Sequence, residues 1–476
     1  MATTQQPQVD FVKAISRVDA TALVVGSMIG SGIFIVSAEI LREVHAPGLL
    51  LVVWAVSGAV TLMGALTYGE LAAMFPNAGG NYIYLREGIS PLFGYLYGWT
   101  LFVVIQTGTI AAVAVAFARF TAVFWPGLSP DVFLGSTLHL PRPLGDVTVG
   151  LSPQRLLAVA SVALLTWINV RGVRTAAIIQ TSLTAVKTGA LAALILLGLT
   201  IGRHAEALAA NFGANFWATG GVAVGVAAVG AAMVGSLFSM DAWNNVGFAG
   251  SELKQPERDL PLAMAGGVLI VTVLYLLANF AYLNVLPAAA IATAPQDRVG
   301  TAALQAILGP PGLKLMAAAI MISTFGCNNG LILSGARVYY AMARDDLFFK
   351  SAGALHPRYK TPAVALVVQA VWTSLLCLSG TYSQLLNYVI FAALVFYGLT
   401  AVGLFVLRVK RPDLPRPVRA PGYPWLPALY LTATAAIAAD LLTQDATRTY
   451  SALGLGVVVL GVPVYFAWRA MVRRAA

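Results

Sequence analysis

Stretches of about twenty apolar residues follow one another along this chain, centred near residues 30, 60, 108, 162, 190, 236, 273, 322, 370, 395, 432 and 458. A run of that length, wound as a helix, crosses the ~30 Å hydrocarbon core of a bilayer. A chain in lipid must satisfy every backbone polar group internally, which leaves helices or a closed barrel. These runs are too long and too uniformly apolar for the alternating strands of a barrel. Composition agrees, at 59% hydrophobic and 10% charged with mean hydropathy +0.80; a soluble domain carries about 25% charged residues. The expected fold class is an all-α polytopic membrane protein with twelve crossings.

A net charge of +10 could suggest nucleic acid, but the charges are distributed by side. With a cytoplasmic N-terminus, twenty of the 29 Lys and Arg fall on the inside, among them Arg86, Arg258, Arg337 and Arg408. Seven fall outside, and Arg119 and Lys187 lie within spans. That asymmetry is the positive-inside signature. It predicts both termini in the cytoplasm, a multi-pass protein of a bacterial inner or plasma membrane, membrane lipid as surroundings and no nucleic-acid partner. Residues 1–16 are polar without a signal-peptide core and read as a short disordered tail. Residues 17–476 read as a single transmembrane domain, since the longest outer loop, about Pro126–Pro153, is too short to fold alone. Cys327 and Cys377 fall in apolar spans as small buried hydrophobes. No outer-loop cysteine offers a tether, so no covalent heavy-chain partner is expected.

Two segments look built to interrupt a helix. The first span carries Gly26-Ser27-Met28-Ile29-Gly30-Ser31-Gly32, and the sixth carries Phe238-Ser239-Met240-Asp241-Ala242-Trp243-Asn244-Asn245. They head successive groups of five spans, which predicts an inverted repeat, with repeat one about 17–202, repeat two about 222–408 and two added helices about 424–472. Paired interruptions at corresponding places are the best sequence pointer to a transporter binding site. A break near the midplane exposes amides at the start of one half-helix and carbonyls at the end of the other. The amides suit a carboxylate and the carbonyls an ammonium, which together form a receptor for a zwitterionic α-amino acid. The bland alternatives are a Gly26-x-x-x-Gly30 packing face and a capping role for Asp241 at a break.

Lys187 lies mid-run in TAAIIQTSLTAVKTGALAALILLGLTIG (Thr175–Gly202). A Lys at that depth costs roughly 2.5–3.5 kcal/mol and must face protein or water. The expectation is that its ammonium donates to freed carbonyls of the first span and to a hydroxyl of the eighth, Ser323 or Thr324. A sodium ion at ~4 Å would be repelled by roughly 4 kcal/mol at an effective dielectric of 20, which predicts sodium-independent transport. Glu70 and Glu252 end the second and sixth spans and are candidate inner-gate residues, Glu252 through Arg258. Phe391, Phe396 and Tyr397 of the tenth span pack, with one of them a candidate outer gate. All four His fall in loops, and Walker A, GxGxxG after a strand and HExxH are missing. No cofactor, no metal and no enzyme activity are expected.

VGSMIGSGIF (Val25–Phe34), YGELAAMFPNAGGNYIYLRE (Tyr68–Glu87), FSMDAWNN (Phe238–Asn245), SELKQPERDLPLAM (Ser251–Met264) and NGLILSGARVYYAMARDDLF (Asn329–Phe348) together resemble the amino acid–polyamine–organocation superfamily, in the branch similar to L-type and bacterial amino acid exchangers. The resemblance implies the LeuT-type five-plus-five inverted fold with two added helices and alternating access to an α-amino acid. It implies that the substrate carboxylate meets the amides of Ser31 and Gly32, that its amino group meets carbonyls near Met28, Phe238 and Asp241, and that Phe238 closes over it. The surrounding pocket would draw on Gly30, Ser239, Met240 and Asn244, with Lys187 tied to sodium independence. Met240 and Ala242 stand where relatives often have an aromatic and a glycine, and Gln106 where they often have an arginine; Arg119 is unusual. The expected function is exchange of neutral L-amino acids. A proton-coupled permease, with Lys187 or Glu70 as the proton carrier, and a non-transporting amino acid sensor are the competing readings.

Overall fold

The computed structural model describes residues 11–140, 147–221, 224–379 and 382–475. Ten helices in it are long and apolar enough to cross a membrane. The first span and the 17-residue helix Ala363–Ser379 occupy the other two apolar runs of the sequence. Packing follows small residues: a Cβ on Gly267 of the seventh span (Pro256–Val285) would meet Val24 Cβ at 2.8 Å, and one on Gly58 of the second (Pro47–Met74) would meet Thr272 Cβ at 3.2 Å. Without a hydrophobic drive between helices in lipid, such close backbone approach is what van der Waals packing requires.

Both expected interruptions are present. The first span runs as a helix over Arg17–Met28, turns through a 3₁₀ segment at Gly32–Phe34, and resumes over Val36–Val44. The sixth is helical over Val226–Ser239 and continues as a 3₁₀ segment over Trp243–Glu252. Between them Ala242 takes φ 67°, a left-handed conformation that costs an L-residue about 1–2 kcal/mol. The two breaks touch: a Cβ on Gly32 would lie 2.7 Å from Ser239 Cβ and 3.1 Å from its Cα, so only glycine lets them meet. The third span (Pro91–Thr121) carries a π turn at Leu101–Ile105, the kind of bulge that often marks a working site.

The outer loop carries a short antiparallel strand pair, Leu138–Leu140 with Val147–Val149. The expected disordered tail needs correction. The N-terminal segment is ordered from residue 11: Phe11 packs edge-on against Tyr340 at 5.0 Å, and buried Ile15 pairs with Leu253. Ile15 N–H donates to Glu252 O at 2.9 Å and Lys254 N–H to Ile15 O at 3.0 Å. Ser16 and Asp19 then form a capping box that starts the first helix. Residues 1–10 lie outside the described residues.

Candidate functional site

The fifth span (Val173–Leu199) is 27 residues long, about 40 Å at 1.5 Å per residue, and Lys187 sits near its middle, 1% exposed. Its ammonium donates to the Gly26 carbonyl, to Ile29 O at 2.8 Å and to Ser323 O at 3.3 Å. Three N–H groups meet three acceptors, which satisfies the ion. The break supplies the first of these, because Gly30 N–H turns back to Met28 O at 2.8 Å instead of continuing the ladder to Gly26. The expected hydroxyl partner is corrected to a backbone one. Ser323 Oγ instead lies 3.0 Å from Ile29 O and 3.2 Å from Gly30 O, and Thr324 bonds Ile320 O within its own helix. A hydroxyl is better placed donating to an orphan carbonyl than accepting from an ammonium that already has carbonyls in reach.

Tyr275 of the seventh span ties the two breaks together. Its buried hydroxyl lies 3.0 Å from Met28 O and 3.2 Å from Ser239 O, and its one proton serves either. Sequence reasoning missed it, since a Tyr in an apolar run gives no sign of which backbone its hydroxyl will reach. In this arrangement the Met28 carbonyl, expected to receive an amino group, already accepts Gly30 N–H and lies within reach of the Tyr275 hydroxyl. Gly30 itself lies against Cys327, whose Sγ donates to Ser27 O at 2.9 Å. Ser31 N-caps the 3₁₀ turn, so its amide and that of Gly32 start the outer half of the first span.

At the sixth-span break, buried Asp241 accepts the Tyr397 hydroxyl, which also lies 3.5 Å from Asn244 Oδ1. Among the described residues Asp241 makes no ion pair. A cavity of about 20 Å³ beside it is bordered by Thr61, Met240, Trp243, Tyr397 and Tyr430, room for about one water. Tyr68 packs edge-on against Trp243 at 4.8 Å and donates to Tyr397 O at 3.2 Å. Phe238, Ser239, Met240 and Asn244 are buried around this point. Gln106 follows the π turn of the third span and donates to Leu331 O at 2.7 Å, linking the third span to the eighth. Phe391 is buried within the tenth span, and Tyr397 is the aromatic of that helix that reaches the break.

The charged candidates regroup. Glu252 pairs with Arg337, not Arg258: Arg337 Nη2 lies 2.9 Å from Oε1 and Nε 3.2 Å from Oε2. Arg337, expected in an inner loop, lies within the helix Pro310–Arg344 and is 1% exposed. Its fork matches both carboxylate oxygens, and Arg258 instead lines a cavity of about 1010 Å³ with Lys13, Arg86 and Arg344. Glu70, fully buried, is held by Arg408, by Arg416 at 3.2 Å and by the Ala420 amide at 2.8 Å. It fastens the basic linker between the tenth and eleventh spans.

A polytopic helical bundle with two spans interrupted side by side, and a buried ammonium closing one of the breaks, has the architecture of a membrane transporter. The chain belongs to the amino acid permease family, whose sequence profile matches residues 15–461. It is 30% identical over 424 residues to the b(0,+)-type amino acid transporter 1 of Mus musculus, covering 88% of this chain and 81% of that protein. It is 32% identical over 461 residues to the large neutral amino acids transporter small subunit 2 of Homo sapiens, covering 95% of this chain and 80% of that one. These relatives place it in the amino acid–polyamine–organocation superfamily beside the L-type transporters, and among transporters, not enzymes.

Proposed function

We propose that this protein carries L-amino acids, chiefly neutral ones, across a cell membrane by alternating access and exchange, without sodium. The observation that carries the proposal is the contact between the two breaks, with amides of Ser31 and Gly32 at one helix start and the Phe238–Asp241 carbonyls at the opposing helix end. An α-amino acid presents a carboxylate and an ammonium a few ångströms apart and matches that polarity. Lys187 fills the place a coupling cation would need and is neutralised by dipoles alone, so a second cation there meets repulsion. The twelve crossings, the inverted repeat and the cytoplasmic termini belong to the same proposal. So does the inward sense of the 1010 Å³ cavity, whose cationic rim would draw the carboxylate of an outgoing substrate.

Besides Lys187 and Glu70, the proton-coupled alternative has a candidate in Asp241, a buried carboxylate beside the break with no cation paired to it among the described residues. Proteoliposomes separate the two. Exchange gives uptake stimulated by internal amino acid and indifferent to sodium and to a pH gradient, whereas symport gives uptake that collapses with that gradient. Ser31→Pro, which deletes one amide donor, is expected to abolish amino acid binding in either case; saturable binding in that variant refutes the carboxylate assignment.

A further inference from the structure

A second cavity, of about 580 Å³, lies at the far end of the third span between Arg119, Arg155 and Arg298. Arg155 is tied to backbone through Nη1, which meets Thr148 O, Gly150 O and Leu378 O at 2.7–2.9 Å. Arg298 is held less: it donates to Arg119 O at 2.7 Å, and its Nε is buried without a hydrogen-bond partner. Burial and the neighbouring Arg119 charge push the Arg298 guanidinium down to about 10, the direction expected of a cation short of counter-charge. Asp131 and Asp297 are the acids of this wall, and Asp297 is engaged by Arg42 at 2.8 Å, with Arg119 at 3.9 Å.

We propose that the Arg119–Arg298 wall is an outer carboxylate site that takes up the amino acid's carboxylate before, or after, it occupies the two breaks. The inference rests on the transport reading above and assigns a staging point to the same path. Arg298 offers a half-buried guanidinium fork on the cavity wall, the group that favours bidentate carboxylate capture, and Arg119 adds a second charge. Arg119 also donates to Gln296 O, on the loop that leads into Arg298. A carboxylate arriving at Arg298 competes with the Arg298–Arg119 and Arg119–Gln296 contacts, so binding would loosen this loop.

The test uses a readout that does not need transport. Ser129 lines the cavity and both native cysteines are buried, so Ser129→Cys can be titrated with a membrane-impermeant thiol reagent. L-leucine and acetate are expected to protect it and leucinamide, which lacks the carboxylate, is not. Arg298→Gln removes the protection, and Arg298→Lys retains part of it. In oriented proteoliposomes Arg298→Gln raises the external KM for L-leucine roughly tenfold, about 1.4 kcal/mol, and leaves the internal KM unchanged. Equal labelling with and without L-leucine and acetate overturns the site. Protection by acetate with no change in external KM also overturns it, as an anion site off the path. Loss of leucine transport in the wild type with protection intact counts against the transport reading and leaves the outer site standing.

Discussion

Removing the Lys187 ammonium tests the centre of the proposal. In Lys187→Ala three carbonyl partners lose a charge-assisted hydrogen bond, each worth about 1.5–3 kcal/mol. Ile29 O keeps the Ser323 hydroxyl at 3.0 Å. Gly26 O has lost its helical donor to the break, so it is left bare at a cost of about 1–3 kcal/mol. The lost lysine stem adds about 0.8 kcal/mol per methylene. If 3 kcal/mol of that falls on the geometry that holds substrate, transport drops more than a hundredfold. Lys187→Met restores the stem without the charge, and is expected to recover the packing part of the stability loss but not transport. The assay is trans-stimulated uptake in proteoliposomes, with monodispersity in detergent showing that each variant is folded. Wild-type turnover in Lys187→Met would refute the reasoning, and so would wild-type rates that rise with sodium.

Tyr275→Phe deletes the hydroxyl shared by Met28 O and Ser239 O; a loss of about 1–2 kcal/mol in thermal unfolding and slowed exchange are expected, and unchanged exchange would show that the two breaks are not coupled there. Ala242→Gly relieves the left-handed backbone at φ 67° and should raise stability by up to about 1 kcal/mol, read as a higher melting temperature; a lower one counts against the strain. Glu252→Gln leaves Arg337 buried without its counter-charge, expected to cost about 3–5 kcal/mol, whereas Arg258→Gln, on the cavity rim, should leave stability unchanged. Equal losses from both would restore the Glu252–Arg258 pairing that the structure replaces.

Much of the architecture was legible before any coordinates. Apolar length specifies spanning helices because lipid leaves the backbone no other partner. Glycine clusters at Gly30–Gly32, and a carboxylate and amides crowded at Asp241–Asn245, specify interruptions because a helix seldom carries them without leaving its ladder. Lys187 announced its burial and its need for acceptors. What the sequence could not reveal was which acceptors. The exchange of Arg258 for Arg337 as the partner of Glu252, the commitment of Glu70 to a distant linker and the bridging by Tyr275 all depend on helix rotation and axial register. Those are set by tertiary packing, since one apolar residue faces lipid or core with little difference in hydrophobic energy. The chain alone thus determined where helices run and where they break, while the meeting of Gly32 with Ser239, and the polar groups that surround it, was decided only by how the helices pack.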